Sequence, residues 1–428
     1  STEHPWFRES CRPEQNPYSD YYIWTDSAWT WDAPGCRLVS RHSDRHAAYA
    51  VYFFYSQPAL NYGFAHPDPQ HAWQQPVDAP GPQAVRREMK KVMRHWLEKG
   101  ASGFRVDMAF SLVKNDPNCV ETTQLWQEVR AWLDDDFPQA VLVSEWGRPR
   151  YAIPAGFHLD FMLPFGAPGY MSLLRKPTGH GPGSDPYGFS FFDRGGRGNI
   201  MEFLDNYLEH YTITREIGHI AIPTGNHDTG PRLAAGREQD ELKVVFAFLL
   251  SMPGTPFIYY GDEIGMRGVE GLRSREGAYD RTRVRTPMQW NQKTNAGFST
   301  AAPEQLYLPI EEAPGRATVD SQDGDPDSLL NTIRRLIALR KAHPALAASG
   351  AFEVVHALPG ELPFVYRRSR DAESVLAAIN PAARTIEVVL PAGTVSGQPE
   401  ILYGDADALS RQGEQWLLRL RGVTACLI

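Results

Sequence analysis

Cysteine is scarce: four residues in 428, at positions 11, 36, 119 and 426, with no CxxC spacing. That excludes a disulfide framework and a cysteine-based zinc site, and it points to the reducing cytosol. Long hydrophobic runs are missing too. Phe246-Ala247-Phe248-Leu249-Leu250 falls far short of the roughly 20 residues that span a bilayer. It stops at Met252-Pro253-Gly254 and reads as a buried helix end. Positive charge is not in excess, since the net charge is −8 and the pI about 5.9. Arg86-Arg87 with Lys90-Lys91 is the solvated face of a helix, so neither nucleic acid nor a membrane is an implied partner. No phosphate-binding glycine loop is present. The Gly/Ser-rich stretches Thr178–Gly188 and Gly195–Gly198 lack P-loop or GxGxxG spacing and read as surface loops.

What the chain has instead is aromatic content of 11%, including eleven Trp. Flat apolar rings with polar tips suit sugar faces, although most such rings build cores. Residues 1–80 are rich in Pro, Tyr, Trp and turn residues, and read as an irregular domain with a few short strands, Ala48–Phe54 the clearest. From Ala84 the pattern changes. Val85, Met89, Val92, Met93, Trp96 and Leu97 recur at three- and four-residue spacing, which predicts an amphipathic helix ending at Lys99. Short apolar runs follow at Gly103–Asp107, Val141–Glu145, His158–Leu163, His219–Thr224 and Pro256–Tyr260. Helices are expected between them over Glu121–Leu133, Ile200–His210 and Glu238–Met252. That alternation makes the chain α/β, with βα units on a parallel sheet over residues 81–347. A long polar segment after Glu263 runs to about Pro326, too long for a plain connection. From Gly350 alternating strands and turns indicate a small all-β domain over residues 348–428.

Three strand ends carry acids: Asp107, Glu145, and Asp228 in Asn226-His227-Asp228. In Gly103-Phe104-Arg105-Val106-Asp107 the period-2 alternation of a strand puts Arg105 and Asp107 on one face. The carboxyl end of a parallel barrel strand is where such a face opens onto a pocket. Retaining glycoside chemistry needs one ionised carboxylate to attack the anomeric carbon and another carboxyl to hand over and recover a proton. A third anion near the cationic sugar stabilises the transition state electrostatically.

These segments resemble the α-amylase superfamily, glycoside hydrolase family 13. Gly103–Asp107 looks like its nucleophile region, Val143-Ser144-Glu145-Trp146 its general-acid region, and Gly225-Asn226-His227-Asp228 its transition-state region. Further likenesses are Arg285-Thr286-Pro287-Met288-Gln289-Trp290 with Asn295-Ala296-Gly297-Phe298, which is similar to the eighth-loop segment of α-glucosidases, trehalose synthases and sucrose isomerases. His4-Pro5-Trp6-Phe7 resembles the start of their inserted domain. Gln57-Pro58-Ala59-Leu60-Asn61 is similar to an oligo-1,6-glucosidase motif, with Ala59 where an acid is usual. The resemblance implies a (β/α)8 TIM barrel with an inserted irregular domain and a C-terminal all-β sandwich. It implies Asp107 as nucleophile, Glu145 as acid/base and Asp228 as transition-state stabiliser. Arg105 would orient the nucleophile and His227 would donate to a sugar hydroxyl. Arg232 follows Asp228 one residue later than in the family's Asp-x-Pro-Arg pattern and is left outside the site.

The five strands match the family's strands 4–8. The opening residues read as the interior of a longer chain, so a further polypeptide segment of roughly a hundred residues is expected to supply strands 1–3. The activity implied is hydrolysis or transglucosylation of short α-glucosides through a covalent glucosyl-enzyme. The alternative is a trehalose synthase or sucrose isomerase kind of rearrangement, and a non-catalytic carbohydrate-binding member is a third reading. The chemistry calls for no cofactor and no catalytic metal, and a structural calcium stays open.

Overall fold

The helix and strand periods of the sequence become two compact units in the computed structural model. One comprises residues 1–146 with 151–160, the other 147–150 with 161–428. The structure describes residues 1–31, 33, 35–175, 189–275, 281–395, 397–405 and 408–428, so the surface loop expected at Thr178–Gly188 lies outside the described residues.

The first unit opens with α1 (Pro5–Ser10) and the antiparallel pair β1 (Arg37–Ser40) and β2 (Ala48–Val51). Its aromatic residues make small cores instead of extended sheet. Phe7 meets Tyr22 edge-on at 5.1 Å and stacks on Trp24 at 5.7 Å, and Ile23, Ala50, Ala59 and Phe64 form a second cluster. Next comes α2 (Pro80–Glu98), which starts at a proline placed where the missing N–H costs nothing. Val85, Met89, Met93 and Leu97, spaced by four, form its inner stripe. Val92 and Trp96 share the adjoining stripe and face water, which narrows the apolar face read from the sequence.

Strands β3 (Gly103–Val106), β4 (Val141–Ser144) and β5 (Leu159–Phe161) follow, β3 and β4 separated by α3 (Val120–Asp136). β4 pairs in parallel with β3 along its length and with the first two residues of β5. Leu125, Trp126, Val129 and Leu133 of α3 pack with Leu142, Trp146 and Phe157 over this sheet. Trp126 donates its indole N–H to Ala109 O at 2.9 Å, so the polar tip of the largest ring is satisfied.

The short α4 (Pro149–Ala152) has two residues in each unit; in the second, α5 (Gly169–Leu174) precedes α6 (Ile200–Thr214), β6 (His219–Pro223), α7 (Gln239–Ser251) and β7 (Thr255–Phe257). β6 and β7 are parallel, Ala221 opposite Thr255. β7 is shorter than the sequence suggests because the Tyr259 N–H turns away to Thr224 Oγ1 at 2.9 Å. From Glu241 to Ser251, Lys243 apart, α7 is buried on every side, as its unbroken apolar run demands. It packs against α9 (Leu329–Ala342), which follows the one-turn α8 (Val319–Asp323).

The C-terminal region has two antiparallel sheets. β8 (Ala351–His356), β9 (Phe364–Arg370), β10 (Glu373–Asn380) and β14 (Thr424–Leu427) form one, in the order β14-β10-β9-β8. β11 (Ile386–Leu390), β12 (Leu409–Gln412) and β13 (Gln415–Leu420) form the other, with β13 central. Val365, Leu376 and Ala378 of the first share a buried cluster with Leu390, Leu418 and Leu420 of the second. Among the described residues no helix is long and apolar enough to cross a membrane, and none of the four cysteines is in a disulfide.

Candidate active site

In the first unit the site grows from the pairing of β3 with β4. Gly103 has φ +147°, and a Cβ there would sit 2.0 Å from Val141 O, so only glycine allows the two strands this approach. The pairing continues past the strand ends, with the Glu145 N–H donating to Val106 O at 2.9 Å. The next residues on both strands, Asp107 and Glu145, are thereby neighbours. After Asp107 the chain leaves sharply: Met108 adopts a left-handed conformation (φ 45°, ψ 41°) and a single 3-10 turn follows.

One guanidinium serves both acids. Arg105 Nη1 lies 2.6 Å from Asp107 Oδ1, and Nη2 lies 2.6 Å from Glu145 Oε1. The side chain of Asp107 is 63% exposed and that of Glu145 only 10%, so one carboxylate is open to solution and the other enclosed. Behind Glu145 stands Asp160, wholly buried, whose Oδ1 accepts from Ser144 Oγ at 2.7 Å and from the Trp146 N–H at 3.0 Å. Both donors flank Glu145 in sequence, so Asp160 holds the Ser144 hydroxyl on one side of it and the Trp146 backbone on the other. Sequence reading missed Asp160, although an acid inside an apolar strand is the kind of local inconsistency that signals a role.

In the second unit the loop after β6 carries His227 and Asp228. Asn226 Oδ1 accepts from the N–H groups of Asp228 at 2.9 Å and Thr229 at 2.7 Å, an Asx turn that shapes the loop. Asp228 Oδ1 receives Arg285 Nη2 at 2.7 Å and Arg281 Nη1 at 2.9 Å, and His227 Nε2 is 3.6 Å from Oδ2. Burial pushes the Asp228 carboxyl up, but His227, the hydrogen bonds from Arg285 and Arg281 and the Arg281 charge outweigh it, holding the group below the usual carboxylate value. Arg285 also donates Nε to His227 O at 2.7 Å. Arg281 and Arg285 lie 53 and 57 residues beyond their partner, beyond the reach of any local pattern, although Arg285 heads the Arg-Thr-Pro segment singled out in the sequence.

Arg232 does not reach Asp228's carboxylate. Its side chain is fully buried, donating to Tyr260 O at 2.7 Å and Val284 O at 2.9 Å, 3.6 Å from the buried Asp262. It braces the loops under the site, in agreement with its exclusion on spacing. The structure thus joins Arg105 to Asp107 and Glu145 in one unit and His227 to Asp228 in the other. Among the described residues no group of three or more His, Cys, Asp or Glu side chains converges to hold a metal ion.

Comparison with known proteins places this geometry. The profile described as "Alpha amylase, catalytic domain" matches residues 1–152 and 198–349. The trehalose synthase/amylase TreS of Mycobacterium tuberculosis is 32% identical over 423 residues, covering 90% of this chain and 66% of its own length. The chain thus spans just under two thirds of that relative, and 42% of the trehalose synthase of Thermus thermophilus, to which it is 28% identical over 93% of its own length. An oligo-1,6-glucosidase of Halalkalibacterium halodurans is 25% identical over 98% of this chain and 79% of that enzyme. Among solved structures, the trehalulose synthase MutB from Pseudomonas mesoacidophila superposes with a TM-score of 0.76 at 22% identity, covering 100% of this chain and 81% of that one. That likeness establishes the fold as the TIM-barrel fold of the α-amylases. The chain belongs to the α-amylase catalytic-domain family, glycoside hydrolase family 13.

Proposed function

We propose that the protein is a retaining enzyme acting on α-glucosidic bonds of short oligosaccharides or disaccharides, by hydrolysis or transglucosylation. Asp107 attacks the anomeric carbon, and Glu145 protonates the leaving oxygen and then deprotonates the incoming hydroxyl. Asp228, kept ionised by its neighbours, stabilises the oxocarbenium-like charge. Arg105 orients the nucleophile and His227 donates to a sugar hydroxyl. The observation that carries the reading is the Arg105 guanidinium shared between Asp107 and Glu145. The asymmetry of that pair fits the division of labour: the exposed carboxylate can reach a substrate carbon, while the enclosed one is screened from bulk water. The reaction is carried by carboxylates and draws on no cofactor.

The relatives named as trehalose synthases favour a second reading, intramolecular isomerisation of a disaccharide. One product profile on maltose, sucrose, isomaltose, trehalose and soluble starch separates them. Free glucose and transfer products support the first reading, products that remain disaccharides support the second, and no conversion of any of the five rejects both.

Within this proposal the five parallel strands take places 4–8 of the barrel, residues 1–80 form the inserted domain, 81–347 the barrel portion and 348–428 the sandwich. The described residues supply five strands where a closed barrel has eight, and a further polypeptide segment supplying strands 1–3 belongs to the proposal. A fully active sample whose intact mass is only the 48.1 kDa of this chain would overturn that part. A cytoplasmic location belongs to the proposal and rests on the scarce, scattered cysteines of the sequence.

A further inference from the structure

Asp160 sits in the middle of β5, and the register of the sheet fixes which way it faces. Ser144 lies opposite Val106 on one neighbouring strand and opposite Asp160 on the other, so these three side chains share one face of β3, β4 and β5. Arg105, Asp107 and Glu145 belong to the other face, where one guanidinium joins them. Asp160 is therefore not a group that touches the sugar or the reacting atoms. Carrying a carboxyl group into the interior costs free energy unless its oxygens are used. Asp160 is wholly buried, and its Oδ1 is used twice, by Ser144 Oγ at 2.7 Å and by the Trp146 N–H at 3.0 Å.

Glu145 lies between these two anchors, and its own N–H goes to Val106 O at 2.9 Å. Three consecutive residues are thus held, two by Asp160 and one by β3. The direction of the Glu145 Cα–Cβ bond follows from the backbone torsions on either side, so these bonds fix where its carboxyl can point. The Trp146 bond weighs most. Strand β4 has ended at Ser144, and the acceptor for the Trp146 N–H is a side chain instead of a ladder carbonyl. Trp146 is only 2% exposed, so without Oδ1 its N–H would be left short of a partner in the interior. The chain relieves that by moving, and Glu145 moves with it. A general acid has to lie within about 2.6–3.2 Å of the oxygen it protonates, and a misplacement of about 1 Å costs on the order of 10²-fold in rate.

We propose that Asp160 is a positioning residue for proton delivery: by accepting from Ser144 and Trp146 it aims the Glu145 carboxyl at the leaving-group oxygen. This rests on the function proposed above, in which Glu145 is the acid, and it assigns the group that places that acid. The test compares two leaving groups. Maltose expels a sugar hydroxyl, which must be protonated as it departs, whereas 4-nitrophenyl α-glucoside expels a stabilised phenolate that needs little help. Values of kcat/KM on both are measured for the parent, Asp160→Ala, Asp160→Asn and Ser144→Ala, each first checked for a native circular dichroism spectrum. Asp160→Ala is expected to lose about 10²-fold on maltose and less than about tenfold on the aryl glucoside. Asp160→Asn keeps an acceptor oxygen at the Oδ1 position and should recover most of the maltose activity. Ser144→Ala removes one anchor and leaves the other, so it reads the same effect if Asp160→Ala does not fold, and its smaller loss should again be greater on maltose. A general loosening of the fold would lower both substrates alike. Equal losses on the two in the alanine variants would therefore overturn the proposal, as would no loss in either, or an Asp160→Asn protein as impaired as Asp160→Ala. If the unmodified protein consumes neither substrate, the failure lies in the functional reading itself, and the assignment falls with it.

Discussion

Arg105 and Glu145 meet at 2.6 Å through Nη2 and Oε1, while the other end of the same guanidinium holds Asp107, also at 2.6 Å. One planar fork with two donor ends sets the spacing of two acids carried by adjacent strands. A single ammonium cannot span them in this way.

Arg105→Lys keeps the charge and loses the fork. We expect kcat to fall by about 10²-fold while the fold is retained, since a misplaced acid pair is penalised chiefly in the transition state. Steady-state kinetics on the best of the five substrates checks this. A kcat within a factor of about two of the parent would show that charge alone suffices.

Asp107→Asn removes the attacking oxygen's charge with almost no change in shape. Turnover should disappear while the thermal midpoint stays within a few degrees of the parent. Retained turnover would reject the nucleophile assignment.

Arg285→Ala takes from Asp228 one of the two guanidinium partners it has among the described residues and removes the bond from Nε to the His227 carbonyl. The loss of transition-state stabilisation should lower kcat/KM on the order of 10²-fold, with a smaller effect for Arg281→Ala because Arg285 remains. Equal and negligible effects of both would argue that Asp228 needs no cationic support.

Gly103→Ala tests the strand pairing that brings the acids together. With Cβ driven to 2.0 Å from Val141 O, backbone has to move, and a cost of about 2–4 kcal/mol is expected. Urea melts should show it, with activity falling along with stability.

His210 supplies a pH dependence apart from catalysis. It is buried in α6, its Nδ1 accepts from the Arg150 N–H at 3.3 Å, and burial together with Arg150 and Arg148 lowers its pKa to about 4. The unfolded chain binds this proton near pH 6.5 and the folded chain only near 4, so stability is complete above 6.5 and declines as pH falls toward 4. The span corresponds to as much as about 3 kcal/mol. Denaturation at pH 7 and pH 4.5 should differ in that direction, and His210→Asn should flatten the difference. An unchanged slope in that variant would assign the loss to other groups.

Much of the architecture was written locally. Alternation in Gly103–Asp107 already placed Arg105 and Asp107 together, and the 2.6 Å contact follows from two residues separated by one along a strand. The apolar periods of α2, α7 and α9 depend on neighbours within two turns, so they were readable without knowledge of the fold. Where tertiary packing intervened, the reading was approximate: Val92 and Trp96 belong to the periodic face of α2 but lie outside its buried stripe, and β7 ends early because the Tyr259 N–H turns to the Thr224 hydroxyl just beyond β6.

Residue types and their order alone determined which acids are candidates, the family they belong to and the strand-helix alternation that carries them, because each depends on chain-local chemistry. Only the folded structure decided that Glu145 shares Arg105's guanidinium, that Asp160 braces its neighbours, and that Arg281 and Arg285 converge on Asp228. These are meetings of groups tens of residues apart. Their distances are set by how strands register and helices pack, and no local period encodes that.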